Sequence, residues 1–598
     1  MRVCAALSAL ACLCAAASPA AVSVPAPPRI AAAFAADGFS VVASLAYGGG
    51  VGVSAESAPN VTINGDPSKR KPAFYVSGSG FEMGYLIGAL ATPRVEALTS
   101  TFIQHIVPAL ISEELDAWLQ NSTLAPAYDA LCAALASLLE RDAARYFAAS
   151  VAAGAIPAAL VDELRGLAAG AAAVMPNTSA TFERLATVNF GYDMLLALIY
   201  SGEILDLLAA RAAASGAAPA VVAALRALPP RALRPPVLCN AFAARGARVA
   251  QPGSAIFGRD FMFALGEVFQ MHVSTTVYSP TDGRAPLVAV AAPGFVGAMV
   301  ALNAHGFAMG VDVLQAALAN TSVVGLNSLL MVRAAAHAAA DVPAAAAFVA
   351  AAQRGVPWLY PMADASGGAA MLETAPSPNA TAGAEPPDWR PLVEDAARRA
   401  ALPSPAQIAA ALAAPVDYDR GVFARRIGVH AKPEDKLIPA FNPPLFALAK
   451  EAYPPPPAWA PGGAVFENYT DESAAYSRGL NQCYFSPERL ADDDLLFATN
   501  LALSPHLRVA ACPFWTSLDG MGSPQWRYDM LVREVLAAAP LTVASAQHAL
   551  SFQQRAPGYE RDTVDGVMSV CELGARVLTA KGGYWVDAWT TVTLPAYI

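Results

Sequence analysis

The apolar periodicity of this chain changes at one point, and a cysteine stands at the change. Before Pro235-Pro236-Val237-Leu238, from about residue 80 to Leu228, apolar residues recur at three-to-four spacing, as in packed helices. After Cys239 the texture becomes short apolar runs divided by turn residues. Cys239-Asn240-Ala241-Phe242 opens a small apolar strand, and Phe257-Gly258-Arg259-Asp260-Phe261-Met262-Phe263 reads as a second strand one hairpin later. Leu302-Asn303-Ala304-His305-Gly306-Phe307 places an Asn-x-x-Gly turn between two apolar runs. Strands that resume around a helix pair imply two sheets sandwiched by helices, an α+β layered core. A cysteine at the first position of the strand region is the natural candidate nucleophile.

Met1-Arg2, the apolar run Val3 to Ala17 and the small residues of Ser18-Pro19-Ala20 read as a signal peptide over residues 1–20. That run is too short to span a membrane, and no other stretch qualifies. Six Asn-x-Ser/Thr sequons, at Asn60, Asn121, Asn177, Asn320, Asn379 and Asn468, suit an N-glycosylated product that is secreted or kept in a lysosome or vacuole. A formal charge of −10 over 598 residues, without a basic patch, gives no reason to expect a nucleic-acid partner. Once Cys4, Cys12 and Cys14 leave with the leader, five cysteines remain. Two disulfides among Cys132, Cys483, Cys512 and Cys571, with Cys239 a free thiol, is the simplest partition. An inert buried Cys239 is the bland alternative.

In order, residues 21–74 are Ala/Pro/Gly-rich and expected to be low in complexity and half-ordered. Tyr75 to Gly88 reads as a strand, a turn and a helix start. Helices follow over Phe102 to Trp118, Ala127 to Ala148, Ile156 to Ala173 and Thr181 to Ala214, and residues 75–238 form a helical segment. Arg226 to Pro236 is an aperiodic connector where processing could fall. Strands are expected at Val268 to Tyr278, Leu287 to Ala292, Val296 to Ala301, Phe307 to Val313 and Leu495 to Thr499, then Gly566 to Cys571, Ala575 to Ala580 and Tyr584 to Thr593. Helices are expected at Leu326 to His337, Val342 to Ala352 and Gln525 to Ala537, and 402–465 reads as an insertion containing a helix.

A cysteine attacks an acyl carbon as thiolate, so a base must take its proton. None of the seven histidines stands in a context that pairs it with Cys239, and none has metal-ligand spacing, so neither metal nor cofactor is expected. If the Leu238–Cys239 bond is cut, the cysteine gains its own base, an α-amine titrating near ~7.7–8.0. Attack of the thiol on the Leu238 carbonyl would make that cut by an N-to-S acyl shift.

Cys239-Asn240-Ala241-Phe242 followed by Phe257-Gly258-Arg259-Asp260-Phe261 resembles the opening of the N-terminal-nucleophile (Ntn) hydrolases of the acyl-coenzyme A:6-aminopenicillanic acid acyltransferase type. Choloylglycine hydrolases, penicillin V acylases and acid ceramidase-like amidases are related. Collinear matches continue through Ala292-Pro293-Gly294-Phe295-Val296-Gly297, Leu302 to Phe307, Leu329 to Arg333, Ala363-Asp364-Ala365-Ser366-Gly367 and Met371-Leu372-Glu373. They close with Phe497-Ala498-Thr499-Asn500 and Ser523-Pro524-Gln525-Trp526-Arg527-Tyr528. The resemblance implies a four-layer αββα sandwich over residues 239–598, preceded by the helical segment. It makes Cys239 the nucleophile and new N-terminus, sets Arg259 beside the thiol, aims the Asn500 amide at the oxyanion and has Arg527 complete the polar network. Without it, Arg259 reads equally as a surface arginine, Asn500 as a turn or cap residue and Arg527 as half of a helix ion pair. Phe261 and Asp312 are expected on the substrate side.

Two positions depart from the pattern. Where the family often carries an aspartate three residues after the arginine, to hold the freed amine, this chain has Met262, with Asp260 the nearby carboxylate. Where it carries a second oxyanion-side asparagine, this chain has Asp312. The expected activity is a self-cleaving cysteine amidase or acyltransferase acting on a small-molecule amide, with the N-terminal fragment as its lasting partner. A phospholipase B-like lipid hydrolase and an inactive glycoprotein of the same fold are the alternatives.

Overall fold

The computed structural model describes residues 21–109, 125–201, 203–228, 239–262, 268–314, 322–376, 421–428, 492–500, 524–555, 566–582, 584 and 586–598. The leader, Leu238, Cys483, Cys512, four of the sequons and most of the 402–465 insertion therefore lie outside the described residues.

The fold is mixed α+β, built on two large sheets. One has twelve strands. From the segment before Cys239 it takes β1 (Val22–Ser23), β2 (Phe39–Tyr47) and β3 (Gly50–Ser57), and then, past a small hairpin of β4 (Thr62–Ile63) and β5 (Asp66–Arg70), β6 (Pro72–Gly78). The second sheet has six strands and includes β7 (Asn240–Ala244) and β8 (Ile256–Met262). The large sheet continues with β9 (Ser274–Pro280), β10 (Leu287–Ala291), β11 (Val300–Asn303), β12 (Ala308–Gly310), β13 (Asp312–Val313), β14 (Trp358–Ala363), β15 (Ala369–Thr374) and β16 (Val422–Arg426). The small sheet is completed by β17 (Leu495–Thr499), β18 (Gly566–Glu572), β19 (Val577–Gly582) and β20 (Thr590–Thr593), in the order β17-β7-β8-β18-β19-β20.

Residues 21–74 are thus not half-ordered. Pro28–Ala36 is a helix (α1), and β2, β3 and β6 are paired in register through Val41↔Ala55 and Val53↔Tyr75. The alanines, serines and glycines that read as low complexity are the small side chains of packed strands. Two further expectations change. Val268 to Tyr278 is not one strand, because Val268–His272 forms a short helix before β9. The described part of the 402–465 region is an edge strand, β16, paired to β15 through Leu372↔Ala424.

Before Cys239 the helices are α2 (Gly80–Leu90), α3 (Thr92–Ala109), α4 (Ala125–Ala152), α5 (Ala158–Val174), α6 (Phe182–Tyr200), α7 (Ile204–Ala214) and α8 (Pro219–Arg226). The run expected as one helix from Thr181 to Ala214 is therefore split in two. Helix α2 begins in a capping box, with the Ser79 N–H donating to Glu82 Oε2 at 2.7 Å and the Glu82 N–H to Ser79 Oγ at 3.3 Å. After Cys239, α9 (Val268–His272) is followed by α10 (Ser328–Ala338) and α11 (Val342–Ala351) on the large sheet, and by α12 (Pro524–Ala538) and α13 (Val543–Leu550) on the small one. Side chains of β7 alternate: Ala241 and Ala243 join the core shared with β14, while Phe242 and Ala244 pack with Tyr528 and Leu531 of α12. Strand β8 alternates likewise, which turns Arg259 toward the large sheet and Asp260 toward the helices.

Among the described residues no helix is long and apolar enough to cross a membrane. Cys571 is a free thiol, buried in β18. The disulfide expected of it would need Cys483 or Cys512, which are not described, or half-buried Cys132 on α4.

Candidate active site

Strand pairing brings the candidate residues together. Asn240 lies opposite Asp260, Ala241 opposite Arg259 and Thr499 opposite Asn240. Cys239, one residue ahead of β7, and Asn500, one residue past β17, therefore meet at the same end of the small sheet. The Cys239 N–H donates to Asn500 Oδ1 at 2.8 Å, and Asn500 Nδ2 donates to the Val313 carbonyl at 2.8 Å. Arg527, from α12, donates through Nη1 to the Cys239 carbonyl at 2.6 Å and to Asn240 Oδ1 at 3.0 Å, and through Nη2 to Asn500 Oδ1 at 3.1 Å. Two donors on one Asn500 atom and a carbonyl on the other fix which is oxygen and which is nitrogen. Asn500 is therefore an acceptor for the nitrogen of residue 239. Its amide, expected to face an oxyanion, is held by Val313.

The thiol lies on the opposite side of β7 from Asn240. Sγ contacts the Met262 carbonyl at 3.5 Å, so position 262 serves through its backbone. Burial pushes the Cys239 thiol up, the Arg259 charge draws it down and Asp312 pushes it up again. Arg259 crosses the gap between the sheets to Asp312, Nη2 to Oδ1 at 2.7 Å, with both side chains fully buried. Its guanidinium also lies 4.9 Å from the centroid of the Phe261 ring, so Phe261 steadies the arginine. Arg259 thus balances the charge at position 312, where the family pattern has an asparagine. Burial lifts the Asp312 carboxyl to about 6, while Arg259 and Arg527 favour its ionised form.

Asp260 sits on the helix side of β8. Its Oδ2 accepts from Asn240 Nδ2 at 3.3 Å, and the same nitrogen reaches Gln553 Oε1 at 3.1 Å. The carboxylate expected to replace the amine-holding aspartate thus acts one step back, by orienting Asn240 and through it Arg527. Sequence reasoning missed Asn240 and Gln553, whose amides complete this network. It also missed Gly310, where a Cβ would fall 2.3 Å from Arg259 Cδ, so only glycine lets the arginine pass. Asn240, adjacent to the candidate nucleophile in a strand otherwise made of Ala and Phe, was the one legible signal.

No protein-family profile matches the chain. An uncharacterised protein of Archaeoglobus fulgidus is 27% identical over 314 residues, which cover 52% of this chain and 44% of that protein. The chain thus matches less than half the length of that relative.

Proposed function

We propose that the chain is a self-cleaving cysteine Ntn amidase whose two sheets and flanking helices form the four-layer αββα sandwich of that class. One observation carries the reading: the backbone nitrogen of Cys239 already sits 2.8 Å from a side-chain acceptor, Asn500 Oδ1, while Arg527 holds the carbonyl of the same residue at 2.6 Å. In the first step Sγ attacks the Leu238 carbonyl carbon, the C–N bond to Cys239 breaks and the nitrogen takes the proton. Water then hydrolyses the thioester, leaving a carboxylate on Leu238 and a free amine on Cys239. With one N–H held by Asn500, the amine lone pair can take the thiol proton in each later turnover. Arg259 supplies a fixed positive charge beside the sulfur. Substrate acyl transfer repeats the chemistry: Sγ attacks the amide carbon, the amine leaves with a proton, and water or a second amine resolves the thioester. Entry through a signal peptide and N-glycosylation belong to the same proposal.

Intact mass and N-terminal sequencing test it. The wild type is expected as two fragments, one starting at Cys239, and Cys239→Ala as one uncut chain. A wild-type chain that stays whole would remove the amine base and favour an inactive binding protein on this fold.

A further inference from the structure

Helix α6 comes from the segment before the cut, yet one of its faces reaches into the segment after it. Asn189, Tyr192 and Asp193, at i, i+3 and i+4, share that face. Asn189 holds the turn before β11, donating to the Gly294 carbonyl at 2.8 Å and accepting from the Val296 N–H at 2.8 Å. The Tyr192 ring lies 6.3 Å from that of Trp358, and its hydroxyl is pushed well up by burial and by the nearby Tyr200, Cys239 and Asp193. Trp358 pairs with Val313, whose carbonyl holds Asn500, so this group of side chains adjoins the nucleophile.

Asp193 is the charged member. It is 2% exposed, and Oδ2 accepts from Ser328 Oγ at 2.7 Å. Ser328 is held at φ +39°, a left-handed conformation that a non-glycine residue adopts only when its surroundings impose it. Asp193 Oδ1 and the Tyr360 hydroxyl are both buried without a well-formed hydrogen bond among the described residues, the Trp358 side-chain N–H and the Ser328 backbone being the groups that approach them. Nor is Asp193 ion-paired among the described residues. Arg354, whose charge reaches Tyr360, spends its guanidinium on backbone carbonyls, including that of Ala375 at 3.0 Å. A buried carboxylate without a counter-ion is costly, and a cation supplied from outside would relieve it.

We propose that Asp193, walled by Tyr192, Trp358 and Tyr360, is the acyl subsite of Cys239 and takes acyl groups that carry a protonated amine. A carboxylate among aromatic side chains suits an ammonium group, which the anion pairs with and the rings can attract through their π-systems. The acyl side is favoured because the acyl group stays bonded to Sγ while the amine must depart, and Asp193 lies buried among α6, α10 and β14. This assignment rests on the function proposed above and makes the N-terminal fragment part of the mature site.

The test compares β-alanyl and butanoyl p-nitroanilides, equal in size and differing in the terminal amine, on the full-length protein. The wild type is expected to favour β-alanyl in kcat/KM by about 30-fold or more, the scale of losing one partner of a buried charge pair. Asp193→Asn, assayed as the chain cut at Cys239, is expected to lose most of that preference. Equal or reversed preference in the wild type overturns the subsite, as does an unchanged preference in a folded Asp193→Asn. If the wild-type chain is not cut, or if it turns over neither anilide, it is the proposed function that fails. The subsite is then read by thermal shift with β-alanine amide, and no shift, or the same shift in Asp193→Asn, overturns it.

Discussion

At the scale of single residues, the interior is rich in carboxyls held above their ordinary range. Burial lifts Asp193 and Asp260 to about 7 and Asp312 to about 6, from 3.8. A carboxyl whose folded value is raised binds its proton more tightly when folded. The stability it contributes is complete below about pH 4 and is lost as pH rises through the folded value. Buried His272 and His337, pushed down to about 4 and well below 6.5, work the other way once pH falls through 6.5. The window in which the aspartates dominate is therefore pH 7.5 to 6.5. Urea unfolding of Cys239→Ala, which has no α-amine at position 239 to titrate, should show stability rising on acidification across that window, by on the order of 1 kcal/mol. Adding Asp260→Asn should make the rise shallower. A flat or falling profile in Cys239→Ala would mean that these carboxyls are solvated in the folded protein.

At the scale of elements, α2 and α5 approach so closely that glycines replace side chains at the contact. Gly80, Gly84 and Gly88 of α2 meet Ala159, Glu163 and Leu167, while Gly166 and Gly170 of α5 meet Phe81 and Tyr85. A Cβ on Gly84 would fall 1.9 Å from the Glu163 carbonyl oxygen, and backbone cannot swing aside as a side chain can. Gly84→Ala should cost about 1–3 kcal/mol, as for other overpacked contacts, despite the better helix propensity of alanine. Denaturant midpoints measure it, and an unchanged midpoint would place the helices further apart. The same contact illustrates what could be read from sequence. Helices with strong apolar periodicity, such as α10 and α12, lie within two residues of expectation, and β17 matches at both ends. Strands β2 and β3 were illegible because they interleave Val with Ala, Ser and Gly and, in β2, leave Ser40, Val41 and Val42 exposed, so neither shows a clean alternation. Cys239 stood out as the residue at the change of periodicity, whereas Arg259 was set beside it by the resemblance alone, because its partner Asp312 lies in the other sheet. Tyr192 and Asp193 were not legible, since polar residues at i and i+1 in a helix reveal nothing until the fold sets that helix against β14.

At the scale of the whole molecule, the proposed cut falls between segments that share one sheet. Strand β6 lies before Cys239 and pairs in parallel with β9 after it, from Ala73↔Thr275 to Gly78↔Pro280. Glu163 of α5 meets Arg333 of α10 at 3.2 Å, and both are buried. Near the chain ends, Arg29 donates to the carbonyls of Pro595, Ala596 and Ile598, and Asp37 accepts from the Thr593 N–H at 2.9 Å and the Tyr597 hydroxyl at 3.0 Å. Cleavage there would sever one covalent link and leave every one of these contacts in place. The cut protein should therefore elute as a single species in native size exclusion while showing two bands in denaturing gels, and only denaturant should part the fragments. Expressed alone, the chain from Cys239 onward would present the unpaired edge of β9 and the bare face that α6 covers, and it should aggregate. Fragments that separated in native buffer would break the shared sheet along β6 and β9, and with it the site that both segments build.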